Sequence, residues 1–533
     1  MTSAQNSGLD AGAIGPLLVA AAVLLTLALS TAQSFIGARV GSDHAVHVFL
    51  SDGIRRNGHR LYVTIPRLLN TCHCAAVPLY IHWAVSHFRA SAVYWAERLL
   101  NPTVNTLHVA VFGVLAFAAA RWQGLPLAWV GLATCAFALT PQFFHALSAR
   151  NFGLSARGTG LLVLTLFLAA AWGVEAGASP IVCWTALTVL GWLVWGFSTF
   201  ASQALCIVSL LLLVTTGRWV PLAGAALGLA LFVALHPKYS LSYLRHTLRF
   251  IRTYATELAP VYILARRQSI WRDLVWDIWL RLRSGLAAGL RYAYENSVIV
   301  VLLLNPLLLL ACASAIGLAP SAGGFFGFAG AVALAGALAV VLTSFRATRF
   351  LGEPERYAEA VAPWAALSGA QVLFAWGGLT PLAVLVGVFL LVDLLQLVAS
   401  KLLLNYVSGN DVGLAEVESA VARELGDGTR FSSNNEHFTK MLMKNPWRFA
   451  YCLAAGQDYA GLKMQQIFSA FPMVRREACE RIAATYRVNA CLLDRKLYDT
   501  LFDERPASLR GLRTAFESAR FRLLILDWAD APA

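Results

Sequence analysis

Charged residues are what this 533-residue chain lacks. Asp, Glu, Lys and Arg make up 13% of it against 58% apolar residues, and the mean hydropathy is +0.62. Water-soluble domains carry about a quarter charged residues, so a wholly soluble protein is excluded. The nine cysteines contain no C-x-x-C pair, which removes the usual zinc spacings. The tail contains no G-x-G-x-x-G and no P-loop, which leaves nucleotide binding without support. No nucleic-acid-binding motif accompanies the net charge of +13. The arginines stand in loops beside apolar segments, where anionic lipid headgroups are the fitting partner.

The chain has long apolar runs in abundance. About eleven read as membrane helices, at 13–36, 103–121, 124–141, 158–177, 179–196, 199–216, 219–236, 297–317, 324–345, 363–377 and 379–404. In lipid every backbone amide must find an internal partner, so such runs form helices. The first run has no small-residue cleavage site, and is read as a retained membrane helix rather than a signal peptide. The fold class expected is a polytopic α-helical membrane protein.

The loops alternate in size. Those at 122–123, 178, 217–218, 318–323 and 378 are short; those at 37–102, 142–157, 237–296 and 346–362 are long or charged. An odd helix count places the tail on the face of the long loops. Those loops hold Arg55, Arg56, Arg60, Arg150, Arg157 and Arg245, whereas the short ones offer little beyond Arg121 and Arg218. The positive-inside rule alone would put the long loops in the cytoplasm.

Residues 43–57 and 76–95 alternate apolar and polar residues at helical spacing, the pattern of helices lying in the membrane interface. Residues 238–295 extend that pattern with many Arg, Trp and Tyr, and the simplest role for any one such arginine is to snorkel. The chain divides into a membrane domain, 1–406, with the first loop at 37–102, and a soluble tail, 407–533. The tail reads as a small α/β domain, with helices at 414–425 and 474–487 and strands at 447–455, 488–494 and 520–527. Asn434, Asn435, Glu436 and His437 form a polar cluster after a further strand. Cys452, Cys479 and Cys491 lie in this tail, where a disulfide requires a location outside the cytoplasm.

Asp43 follows the first membrane helix. Asp43 and His47 are four apart and share a helical face; His44 points about a quarter turn away. An acid at the rim of a bilayer is costly unless it is partnered or used. Its structural alternative is an N-cap, with Ser42 and Asp43 both good capping residues. Asp52 is a rival acid, expected to end a turn with Gly53. His82 and His87 are expected on one aromatic face as interfacial histidines.

These stretches resemble the GT-C glycosyltransferases that use polyprenyl-phosphate sugars, such as the protein O-mannosyltransferases and the bacterial aminoarabinose transferases. The carriers are the acid in a large first loop with two interfacial helices; Gly58-His59 followed by Pro78, Tyr80, His82 and Trp83; FHALSARNFGLSARGTGLLVL; and GEPERYAEAVAP with Arg356 and Tyr357. The resemblance implies a lipid-linked sugar donor at the outer leaflet and a lipid, glycan or protein acceptor. It implies that Asp43 is the general base of an inverting transfer. A carboxylate at a low-dielectric interface, with its pKa raised, suits that role. Arginines suit the leaving phosphate through bidentate hydrogen bonds. The candidates are Arg150, Arg157 and Arg356, then Arg55, Arg56 and Arg60, supported by His44, His47, His59 and Tyr357.

Relatives often carry a second acid beside the first, where this chain has His44. That argues against a divalent cation bridging two carboxylates, although Asp43, His44 and His47 together have suitable ligand chemistry. The resemblance places the first loop and the tail on the periplasmic side of the cytoplasmic membrane, against the charge count. The alternatives are a transporter or flippase of a lipid-linked glycan, for which Asp393 is the clearest intramembrane charge, and a non-catalytic membrane assembly protein.

Overall fold

The architecture comes from a computed structural model. It describes residues 11–37, 43–65, 67–70, 78–141, 153–259, 261, 276, 279–286, 288–289, 301, 305–320, 323–345, 347–410, 414–443, 448–453 and 461–529. Arg150, Cys72 and Cys74 lie outside the described residues, as does the side chain of Asp43.

The described helices are α1 (Ala11–Gly37), α2 (Asp43–Arg56), α3 (Tyr80–Ser86), α4 (Ala90–Gln123), α5 (Leu127–Ala138), α6 (Arg157–Glu175), α7 (Pro180–Phe197), α8 (Thr199–Thr216), α9 (Val220–Leu235), α10 (Pro237–Thr253), α11 (Pro306–Ala315), α12 (Gly324–Thr343), α13 (Glu355–Gly377) and α14 (Leu379–Asn410). Each expected membrane helix has a counterpart here. Among the described residues, seven helices are long and apolar enough to cross a membrane, and α5, α9 and α11 are shorter apolar helices. The chain is a multi-pass membrane protein. Two helices start earlier than expected. α4 begins at Ala90 and passes through Pro102; α13 begins at Glu355 and takes in Glu359.

The residues form two compact units. The first contains Met1–Gly37, Arg98–Leu235 and Arg267–Lys401. Here α1 packs on α5, α7 on α9, and α12 on α13, around fully buried Trp129, Trp364, Phe137, Phe167 and Phe328. Lipid removes the hydrophobic drive between helices, so close packing must hold them. Gly191 and Gly228 let α7 and α9 touch backbone to backbone: a Cβ on Gly228 would come within 2.4 Å of the Gly191 carbonyl carbon. His108 Nε2 meets Thr165 Oγ1 at 2.9 Å between α4 and α6, a cross-helix bond worth about 0.6 kcal/mol in lipid. Pro102 cannot donate to the Arg98 carbonyl; Ser34 Oγ does so instead, at 2.7 Å. That substitution is why α4 continues through the proline.

The second unit contains Ala38–Glu97, His236–Arg266 and Leu402–Ala533. Its centre is a five-stranded mixed sheet built from β1 (Thr429–Ser433), β2 (Phe449–Tyr451), β5 (Ala490–Asp494), β6 (Leu509–Glu517) and β7 (Phe521–Trp528), ordered β2-β1-β5-β7-β6. β1 pairs in parallel with β2 and β5, and β7 pairs antiparallel with β5 and β6. A short antiparallel pair, β3 (Phe468–Ala470) and β4 (Met473–Val474), stands apart from it. The tail helices are α15 (Leu414–Glu424), α16 (Glu436–Leu442), α17 (Met464–Ile467) and α18 (Arg476–Tyr486).

The first loop packs with the tail in this unit. Residues 67–70 extend the sheet past β2: Tyr451 N donates to Arg67 O at 2.9 Å and Leu69 N to Tyr451 O at 2.8 Å. The backbone N of Leu453 donates to Asn70 Oδ1 at 3.2 Å. Phe49 of α2 meets Tyr451 edge-on at 5.8 Å. Residues 254–261 join as well, with Leu258 in the core of Ile467 and Phe468 and Phe471 N donating to Val261 O at 3.0 Å.

Candidate functional site

α2 opens at Asp43, so the backbone gives Asp43 and His47 the shared helical face that their spacing predicts. His44 is buried. His47 Nδ1 meets Nε2 of His82 at 2.8 Å, with the rings stacked at 5.1 Å. His82 is 0% exposed. Burial, and secondly the neighbouring His47, hold its pKa well below the ordinary histidine range, while a hydrogen bond with the Pro78 backbone acts in the opposite sense. His82 is therefore neutral, and at the 2.8 Å contact one ring nitrogen donates to the other.

A second histidine pair closes the far end of α2. After Ile54 the chain turns through Gly58 (φ +65°) and His59 (φ +58°). Two left-handed residues in sequence suit glycine and are strained for histidine, and His59 is held in place from several sides. Ser86 Oγ gives its proton to Trp83 O at 2.6 Å, so at the 2.9 Å contact with His59 it accepts from Nδ1. Trp83 Nε1 donates to His59 O at 3.0 Å. The His59 and His87 rings stack at 4.2 Å. His82 and His87 thus belong to different clusters and do not share a face, because five positions along a helix turn the side chain by about 140°.

Asp52 lies inside α2 rather than ending a turn. It accepts from Arg55 at 3.1 Å and Arg56 at 3.2 Å. Arg55 Nε also donates to Ser86 O at 3.2 Å. The Arg56 side chain is 57% exposed, and Arg60 is exposed. With one carboxylate among three guanidiniums, this segment is net positive and open to solvent.

Arg157 and Arg356 come together in the membrane unit, from segments far apart in sequence. Arg157 forms an ion pair with Glu359, the two side chains 10% and 5% exposed. Arg356 Nε donates to Glu353 Oε2 at 2.8 Å, and its guanidinium lies 3.7 Å over the Phe200 ring. Glu355 adds a third carboxylate acting on Arg356. The Tyr357 hydroxyl donates to Leu351 O. Each of these arginines already has a carboxylate partner. Sequence reasoning missed Glu359 as that partner; nothing local marks it, since the pair spans 202 positions.

Among the described residues, no three His, Cys, Asp or Glu side chains stand together as metal ligands. Asp393, on α14, is fully buried, and among the described residues neither carboxylate oxygen has a hydrogen-bond partner.

No family model matches the sequence, and no curated protein matches it. Solved structures do. The oligosaccharyltransferase of Archaeoglobus fulgidus, in complex with zinc and sulfate, aligns with a TM-score of 0.50 at 12% identity, over 90% of this chain and 68% of that one. ArnT from Cupriavidus metallidurans, bound to undecaprenyl phosphate, aligns with a TM-score of 0.41 at 14% identity, over 95% of this chain and 97% of that one. This chain shares the fold of that archaeal oligosaccharyltransferase, with a small C-terminal sheet region.

Proposed function

We propose that the chain is a membrane glycosyltransferase. It moves a sugar from a polyprenyl-phosphate donor to an acceptor on a lipid, glycan or protein, at the outer face of the cytoplasmic membrane. The observation that carries this reading is the fold, which an oligosaccharyltransferase shares over nearly the whole chain. Asp43, at the start of α2, is assigned as the general base. Its carboxylate takes the acceptor proton as the acceptor attacks the anomeric carbon. The new bond forms as the bond to the phosphate oxygen breaks, and polyprenyl phosphate leaves with the electron pair. Displacement from the opposite side inverts the anomeric centre.

The phosphate needs a local excess of positive charge. Arg55, Arg56 and Arg60 supply it on the same segment as Asp43, and bidentate contacts favour arginine there. Arg157 and Arg356 are read instead as a structural ion-pair cluster, because each is already paired with a carboxylate. His44, His47 and His59 fix the loop that presents Asp43.

The test is donor consumption in proteoliposomes, read as released polyprenyl phosphate. Asp43→Asn is expected to lower turnover about 10²–10⁴-fold with normal yield and folding, while Asp52→Asn keeps it. Full turnover from a folded Asp43→Asn protein removes the base assignment. Asp393 favours a second reading, transport, since a buried carboxyl without a partner in a membrane helix is costly and commonly functional. Under that reading Asp393→Asn, not Asp43→Asn, abolishes activity.

A further inference from the structure

We propose that Cys479 and Cys491 are joined by a disulfide as the protein matures at the outer face. The inference rests on the outer-face orientation of the proposed function, and assigns a covalent modification within the C-terminal domain.

The two residues stand on regular elements packed into one core. Cys479 lies on α18 and Cys491 on β5. Both are buried, and their Sγ atoms are 3.8 Å apart, in direct contact. A disulfide needs about 2.05 Å between sulfurs, a gap that side-chain rotation must close. Cys452 belongs to the same core.

The burial also says when the bond forms. The hydrogen bond with Cys479, then burial, push the Cys491 thiol well above its ordinary range. A buried thiol of that kind is a poor nucleophile, so oxidation belongs to the folding chain, before α18 covers β5. The oxidant is a disulfide-bearing protein or small molecule. One cysteine thiolate attacks it, forming a mixed disulfide and expelling one oxidant thiolate. The other cysteine thiolate then attacks the mixed bond and expels the second. Two electrons pass to the oxidant, which ends as a dithiol, and the chain loses two hydrogens. Once folded, the bond is sheltered from reductants for the reason that the thiols were sheltered from oxidants.

The bond would tie the helix to the central strand across twelve positions. All seven described cysteines are free thiols in the structure, Cys479 and Cys491 included; what sets that pair apart is its sulfur contact, which no pair among Cys135, Cys183, Cys206 and Cys312 on α5, α7, α8 and α11 makes among the described residues.

The experiment traps thiols in cells making the full chain. Acid quench, denaturation and iodoacetamide without reductant are followed by digestion and mass spectrometry. The expected result is a linked peptide pair lighter by two hydrogens, with Cys479 and Cys491 unlabelled until reductant is added. The membrane cysteines label at once. Immediate labelling of both Cys479 and Cys491 overturns the proposal, as does a link from either of them to Cys452. An alkaline phosphatase fusion after Ala533 separates this failure from that of the function. With the reporter active and both thiols labelled, the disulfide alone is wrong. With the reporter inactive, the outer-face reading falls as well.

Discussion

Two groups of arginines looked alike in sequence and have opposite surroundings in the fold. Arg157 and Arg356 stand among three carboxylates, with Arg157 nearly buried against Glu359. Arg55 and Arg56 share one carboxylate, Asp52, and Arg56 and Arg60 are exposed to solvent. A guanidinium committed to a buried carboxylate stabilises a scaffold; one facing water can turn to an arriving anion. Residue type and loop position do not distinguish the two. The balance of charge around each side chain does.

The comparison breaks most forcefully at Arg157. Arg157→Ala leaves Glu359 buried and unpaired, which costs about 3–5 kcal/mol and is read as lost yield and lowered Tm. The double change Arg157→Met with Glu359→Leu restores stability to near the wild type, because an apolar pair of similar volume substitutes well for a buried ion pair. Donor consumption by that double variant sharpens the contrast: activity is retained if the pair is structural, whereas a folded but inactive double variant makes Arg157 a phosphate ligand.

A smaller effect is expected when Arg55, Arg56 and Arg60 are all changed to Gln. Donor KM rises about tenfold, the equivalent of one charge-assisted hydrogen bond, while Tm barely moves. An unchanged KM removes these residues from donor binding.

The histidine clusters set a pH dependence. Burial, and secondly His47, lower the pKa of His82 in the folded state, against about 6.5 in the unfolded chain. The unfolded state therefore binds more protons as pH falls. The stability contributed by neutral His82 is complete above about pH 6.5 and is lost as pH drops toward the folded value. His82→Gln flattens that slope in a melting series, leaving a remainder from His236, whose pKa burial also lowers. An unchanged slope contradicts a neutral, buried His82. The smallest effect belongs to Arg56→Ala, about 0–1 kcal/mol for an exposed ion pair, measured by the same melting curves.

How much was legible depended on whether the signal was local. The apolar runs of α1, α6, α7 and α8 are continuous, and their helices lie where periodicity puts them. The early starts of α4 and α13 were hidden. Pro102 and Glu359 interrupt the pattern, and only distant partners, Ser34 and Arg157, make them tolerable there. In the tail, β5 and β7 read as buried runs, whereas β6 carries Arg510 and Arg513 on an edge strand and gives no such run. The pairing of residues 67–70 with β2 has no local signature, so the union of the first loop with the tail could not be read. At the site, the α2 face that bears Asp43 and His47 was legible from spacing. The His47–His82 and Arg157–Glu359 pairings were not, because each joins separate segments.

The central claim is that transfer happens at the outer leaflet, although the positive-inside tendency points the other way. Two alkaline phosphatase fusions test it most directly, one after Ala533 and one within the 318–323 loop. The account predicts activity from the tail fusion and none from the loop fusion. The reverse pattern would place the long loops in the cytoplasm, make their arginines ordinary membrane anchors and contradict the proposed function.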